Sequence, residues 1–197
     1  MRVVVPLSVL CALALGVSVV RAGLYDAELS AAELRGPEQP ISFSHRKHAG
    51  ELKIDCLYCH GAAEKSQSAT VPAVSVCMGC HQHVKHRTSD DPAALEASTA
   101  EIAKIQGYWD RGESIPWLKI HNLPEFVQFK HFKHVQAGIA CQTCHGQVQE
   151  MNRVYLVPDT HYTKRSFFLP AAKLEMGWCM ECHLQRGASD DCAVCHH

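Results

Sequence analysis

The sequence predicts a mostly helical and irregular fold with little regular structure: short helices around bound groups, preceded by one N-terminal membrane helix. Three observations predict it. Cys-X-X-Cys-His occurs five times in 197 residues and uses ten of the eleven cysteines. No alternation of apolar and polar residues persists long enough for a sheet of any size. The chain opens with an apolar run from Val3 to Val20, at the threshold length for a membrane span.

The segments follow in order. Residues 1–22, "MRVVVPLSVLCALALGVSVVRA", are longer than a usual signal-peptide core, so a retained single anchor is expected over cleavage after Ala22. Arg2 places the N-terminus on the cytoplasmic side and the body outside. Cys11 reads as an apolar residue of this run, since the bulky Leu10 before it does not suit lipid attachment. Residues 23–40 form a polar linker stopped by "GPEQP". A first block, 41–88, carries two of the motifs. The spacer 89–129 begins with the strongest helical signal of the chain, "SDDPAALEASTAEIAKIQGYW". Ser89, Asp90 or Asp91 can cap it, Pro92 suits its first turn, Leu95, Ile102 and Ile105 share a face, and Gly107 ends it. An extended segment with two prolines, "SIPWLKIHNLPEFVQF", then leads into a second block, 130–197, with three motifs.

The motifs carry the chemistry. They are Cys56, Cys59, His60; Cys77, Cys80, His81; Cys141, Cys144, His145; Cys179, Cys182, His183; and Cys192, Cys195, His196. This spacing is the attachment site of a c-type haem: two thiols add to the haem vinyl groups, and the histidine binds the iron. A zinc ribbon does not need a histidine after every second cysteine. A thioredoxin-like pair occurs once, beside a βαβ pattern that is missing here. The expected cofactors are therefore five covalently bound haem c groups. About 35 residues per haem are too few for a conventional core, so the haems themselves must supply much of the interior. Haem attachment in bacteria happens outside the cytoplasmic membrane, which puts the expected body on the periplasmic side. The formal charge is −1 and haem propionates add to it; with no basic stripe, nothing suggests nucleic acid as a partner.

Each block opens with a histidine doublet. "FSHRKH" holds His45 and His48; "FKHFKH" holds His131 and His134. Residues three apart on a helical turn point to one side but are displaced along the axis, so each can serve a different iron as second axial ligand. The repeat of Phe-X-His-X-X-His before Cys-X-X-Cys-His reads as an internal duplication. His83, His86, His161 and His197 lack this context and read as surface residues.

"HRKHAGELKIDCLYCH" and "HFKHVQAGIACQTCHG" resemble the small class III multihaem cytochromes. The wider pattern adds "IPWLKIHNLPEFVQFKHFKH", "CQTCHGQVQEM", "MGWCMECH" and "DCAVCHH". Together these resemble the pentahaem subunit of alternative complex III, a bacterial quinol:cytochrome c or oxidase oxidoreductase. The class III pattern implies that His45 serves the haem of His60 and His48 that of His81. It likewise implies that His131 serves the haem of His145 and His134 that of His183. The haem of His196 lacks a histidine partner in the pattern; Met176 is the leading ligand, with Met151 and His121 as competitors. The segment "VYLVPDTHYTKRSFFLPAAKLEMGWC" departs from the resemblance by its length.

The resemblance implies an electron-transfer subunit without a substrate site of its own. It would be periplasmic, passing electrons from an iron–sulfur protein subunit to a monohaem cytochrome c or oxidase. Polytopic membrane subunits would oxidise the quinol, in a respiratory or photosynthetic complex. Two alternatives compete: a stand-alone periplasmic shuttle for an anaerobic reductase, and a multihaem reductase with an open haem site.

Overall fold

The computed structural model describes residues 36–156 and 175–196. The described residues from 37 onward belong to one compact unit. In chain order the described elements are a π-helical turn Arg46–Glu51, helix α1 (Cys56–Cys59), a 3-10 turn Gly61–Glu64, α2 (Val74–His81), α3 (Pro92–Asp110), α4 (His131–Gln136), α5 (Cys141–His145), a second 3-10 turn Val148–Glu150, α6 (Met176–Arg186) and α7 (Cys192–Cys195). There is no strand among the described residues, only an isolated antiparallel bridge between Val127 and His196. The expectation of short helices in irregular chain holds.

Each motif lies on helix, which brings its two thiols to neighbouring positions one turn apart. The shortest of these helices need help at their open N–H groups. In α1 and α7 the residue before the first cysteine is an aspartate: Asp55 accepts from the Leu57 N–H at 2.8 Å, and Asp191 from the Ala193 N–H at 2.9 Å. Helix α3 is capped the same way by Asp91, which accepts from the Ala93 N–H, with Pro92 at the first position. Its end differs from expectation. Gly107 lies inside the helix, which continues to Asp110, and Gly112 (φ 65°) makes the left-handed turn instead. Tyr108 and its contact with the core hold the extra turn: its carbonyl takes the Glu113 N–H at 2.9 Å.

The protein's own core is small. Ile41, Met78, Ile105 and Ile115 form it, with Val74, Cys77, Tyr108 and Trp117 packed around them. This cluster fastens α2 to α3 and to the extended segment after α3. It lies under the second motif, and no comparable buried cluster supports the other four among the described residues.

The two blocks interlock through one repeated contact. Arg46, one residue after His45, donates its N–H to the Met151 carbonyl at 2.9 Å; Met151 lies six residues after His145. Phe132, one residue after His131, donates to the Ser66 carbonyl at 3.3 Å; Ser66 lies six residues after His60. Each doublet turn therefore docks on the chain that leaves the first motif of the other block. Ser44 to Asn152 on one side, and Gln136 to the Glu64 carbonyl on the other, extend the two contacts. This reciprocity relates the blocks by an approximate two-fold exchange.

One expectation is corrected. The single N-terminal anchor, with the body held on the periplasmic side of the membrane, is not supported, because no helix of the described residues is long and apolar enough to cross a membrane. The longest, α3, carries Glu96, Glu101, Lys104 and Asp110 along its length. Segment 1–22, on which the anchor was placed, lies outside the described residues.

Candidate functional site

The histidine doublets face the motif histidines in four pairs. The ring centroids of His45 and His60 are 6.5 Å apart and those of His131 and His145 6.4 Å, with planes inclined by 9° and 11°. His48 and His81 are 6.2 Å apart at 62°, and His134 and His183 6.1 Å apart at 41°. These are the pairings the class III pattern implies. The separation has a physical meaning. An ion held about 2.0 Å from a ring nitrogen on each side, with each centroid about 1.1 Å further back, sets centroids about 6.2 Å apart. Direct ring packing gives shorter distances, as in the 4.4 Å stacks of Phe43 on His48 and of Phe129 on His134. The four pairs thus leave a gap that fits one iron.

The same rings are oriented by their other nitrogen. His48 Nδ1 lies 2.9 Å from the Ser44 carbonyl, and His134 Nδ1 3.0 Å from that of Lys130, each four residues back. His131 Nδ1 meets the Gln67 carbonyl at 2.9 Å, across the blocks. Among the motif histidines, His60 Nδ1 meets Thr70 O at 3.0 Å, His81 Nδ1 meets Val84 O at 3.0 Å, and His183 Nδ1 meets Ser189 O at 2.6 Å. A carbonyl can only accept, so Nδ1 must carry the proton and Nε2 keeps its lone pair for a metal. Thr70 takes up a left-handed backbone (φ 55°) to offer its carbonyl, a cost of about 1 kcal/mol or more accepted at a functional position.

His45 is the exception: its Nδ1 is buried without a hydrogen-bond partner. Burial, followed by the neighbouring His60 and His48, holds its pKa down at about 4. Burial also lowers His48, against the opposing hydrogen bond to Ser44. Both rings are thus kept neutral, the form that binds a metal.

The thiols are arranged in proximity as well. Thiols of different motifs act on one another electrostatically: Cys80 on Cys59, Cys59 on Cys77, Cys141 on Cys56 and Cys195 on Cys179. Burial is the first cause that raises the pKa values of Cys56, Cys59, Cys77 and Cys179, with the neighbouring thiol adding to it. Large apolar side chains stand exposed around the motifs: Tyr58 at 60%, Val71, Val84, Leu184 and Val194. Apolar surface left open beside paired imidazoles and thiols suits a flat hydrophobic group, and haem c fits this donor set.

The fifth motif is built differently. Its His196 bridges Val127, its Cys195 carbonyl takes the Gln128 N–H at 2.8 Å, and the ring facing His196 is Phe126, at 5.8 Å. Of the three candidate ligands, His121 packs against His145 at 4.4 Å and 73°, too close for an ion between the rings. Met151 is 5% exposed, with its carbonyl tied to Arg46. Met176 is 61% exposed at the first residue of α6, three residues before Cys179, on whose thiol Cys195 acts electrostatically. His83 and His86 are exposed, as expected of surface residues; His161 and His197 lie outside the described residues, as does most of the long link before α6.

Sequence reasoning missed the carbonyl acceptors at Gln67, Thr70, Val84 and Ser189, since any residue supplies a carbonyl and no side chain announces it. The stacking role of Phe43 and Phe129 had a signal, their shared place two residues before each doublet.

A family model described as cytochrome c7 and related cytochrome c matches residues 127–197. The chain is also 26% identical over 175 residues to the menaquinone reductase, multiheme cytochrome c subunit, of Nitratidesulfovibrio vulgaris, a match covering 81% of this chain and 77% of that protein. Repeated Cys-X-X-Cys-His motifs, imidazole pairs at iron-bridging separation and these two likenesses together make the chain similar to the cytochrome c7-like multihaem cytochromes, with the family match confined to residues 127–197.

Proposed function

We propose that the chain carries five haems, one at each motif, and is the electron-transfer subunit of a quinone-linked oxidoreductase complex. The observation that carries this reading is the set of four imidazole pairs. Haem c supplies a one-electron ferric/ferrous couple when bound. The paired imidazoles His45 and His60, His48 and His81, His131 and His145, and His134 and His183 would hold the group, and a group held by two imidazoles would have no coordination position left for a substrate. Backbone carbonyls lock the imidazoles, which keeps the ligand set unchanged between oxidation states. For the fifth iron the reading takes His196 and Met176.

The likeness to a menaquinone reductase subunit supports a quinone-linked complex. The motif order supports the alternative complex III type. Partners would then be an iron–sulfur protein subunit on one side and a monohaem cytochrome c or oxidase on the other. Polytopic subunits would handle the quinol. Intact mass and carbon monoxide test the reading together. The expected result is a mass excess of five haem equivalents, with no change in the ferrous spectrum on adding carbon monoxide. Several haems binding carbon monoxide would overturn it in favour of a reductase with open haem sites.

A further inference from the structure

We infer that the haems follow one unbranched spatial order that differs from their order in sequence: the Cys77/Cys80 haem, then Cys56/Cys59, Cys141/Cys144, Cys179/Cys182 and Cys192/Cys195. The inference rests on the reading of the five motifs as haem sites. Two links come from the doublets. His45 and His48 lie on one turn and face His60 and His81, so the first two irons are neighbours; the Tyr58 hydroxyl of the first motif, lying against Gly79 of the second, supports the same pair independently. His131 and His134 join the irons of His145 and His183 in the same way.

The link between the blocks comes from the reciprocal docking. Each doublet turn sits on the chain leaving the first motif of the opposite block, through Arg46 to Met151 and Phe132 to Ser66. His131 Nδ1 is itself bonded across the blocks, to Gln67. An exchange of this kind brings together the elements nearest its axis, here the first motif of each block. Cys56 and Cys141 open those two motifs. The second motif of the first block packs elsewhere: α2 lies against α3 through the Ile41, Met78, Ile105 and Ile115 cluster. The last link comes from the short connection 187–191, which leads from α6 straight into α7 and so keeps the last two motifs adjacent, with the terminal motif held by Val127 and Gln128 just ahead of the second doublet.

A consequence is that the motif first in sequence is internal. The two ends, where electrons would pass to and from partners, are the Cys77/Cys80 and Cys192/Cys195 haems. Diffraction from holoprotein crystals at the iron absorption edge, with intact mass on the same sample, tests the order. The shortest iron–iron vector between the blocks should join the Cys56/Cys59 and Cys141/Cys144 haems. Five haems by mass with another pair at that junction would overturn the order alone. Fewer than five would overturn the five-haem reading and the order with it. In solution, His48→Met should raise the potential of its own haem and shift one further haem, that of Cys56/Cys59. A larger shift at the Cys141/Cys144 haem would overturn the order without crystals.

Discussion

Gly50 lies in the π-helical turn that follows His45 and carries His48, and its replacement by alanine sets sequence reasoning against structure. By propensity alone, Gly→Ala in a helical turn gains up to about 1 kcal/mol, because glycine loses the most chain entropy on folding. The structure reverses the sign. A β-carbon at Gly50 collides with the Gln149 carbonyl oxygen and lies 3.5 Å from its carbonyl carbon. That obstacle is backbone, in the 3-10 turn Val148–Glu150, and cannot swing aside. The two turns must part. Overfilling a packed contact by one methyl costs about 1–3 kcal/mol. Weakening the adjacent Arg46–Met151 hydrogen bond adds about 1 kcal/mol. After the propensity gain, a net loss of about 1–3 kcal/mol remains. At roughly 2–4 °C per kcal/mol for a chain of this size, the midpoint should fall by about 2–12 °C. Guanidinium and thermal titration of the holoprotein, followed in the haem absorbance and in far-ultraviolet dichroism, measure it. Gly107→Ala is the control: its neighbour is the mobile tip of Arg111, at 3.1 Å, so it should be neutral or gain up to about 1 kcal/mol. A Gly50→Ala protein as stable as the parent would refute the interlocking of the two blocks.

Three further outcomes are expected. His134→Ala should make the haem of Cys179 and Cys182 open to carbon monoxide while leaving the nearer haem of Cys141 and Cys144 six-coordinate; a change confined to the nearer haem would contradict the pairing with His183. The ferric protein should show two classes of low-spin resonance, because two imidazole pairs are inclined by only 9° and 11° and two by 62° and 41°; His48→Ala should remove the most anisotropic signal, and a uniform spectrum would speak against these orientations. Met176→His should abolish a long-wavelength sulfur-to-iron band and lower the potential of one haem, since thioether ligation raises it; a band that survives Met176→Ala and is lost in Met151→Ala would transfer the ligand to Met151.

The sequence by itself pointed to the proposed chemistry. Covalent haem attachment, as proposed for the five motifs, needs two thiols and a histidine at a set spacing, so that proposal rests on ten cysteines and five motif histidines read without a fold. The doublets were legible for the same reason, since three-residue spacing on a turn dictates where two imidazoles can point. Capping was readable too: Asp91 before Pro92 marks the start of α3, and Asp55 and Asp191 stand next to their motifs. The end of α3 was not, because the packing of Tyr108 against the buried cluster outweighs the local preference of Gly107 to stop a helix. Only tertiary structure could decide which turn lies on which. The Arg46–Met151 and Phe132–Ser66 bonds join backbone groups more than sixty residues apart, and backbone groups leave no mark in sequence. The same holds for His121, which composition offers as a ligand and packing sets against His145. Local spacing specifies what can bind an iron; long-range packing decides which irons become neighbours.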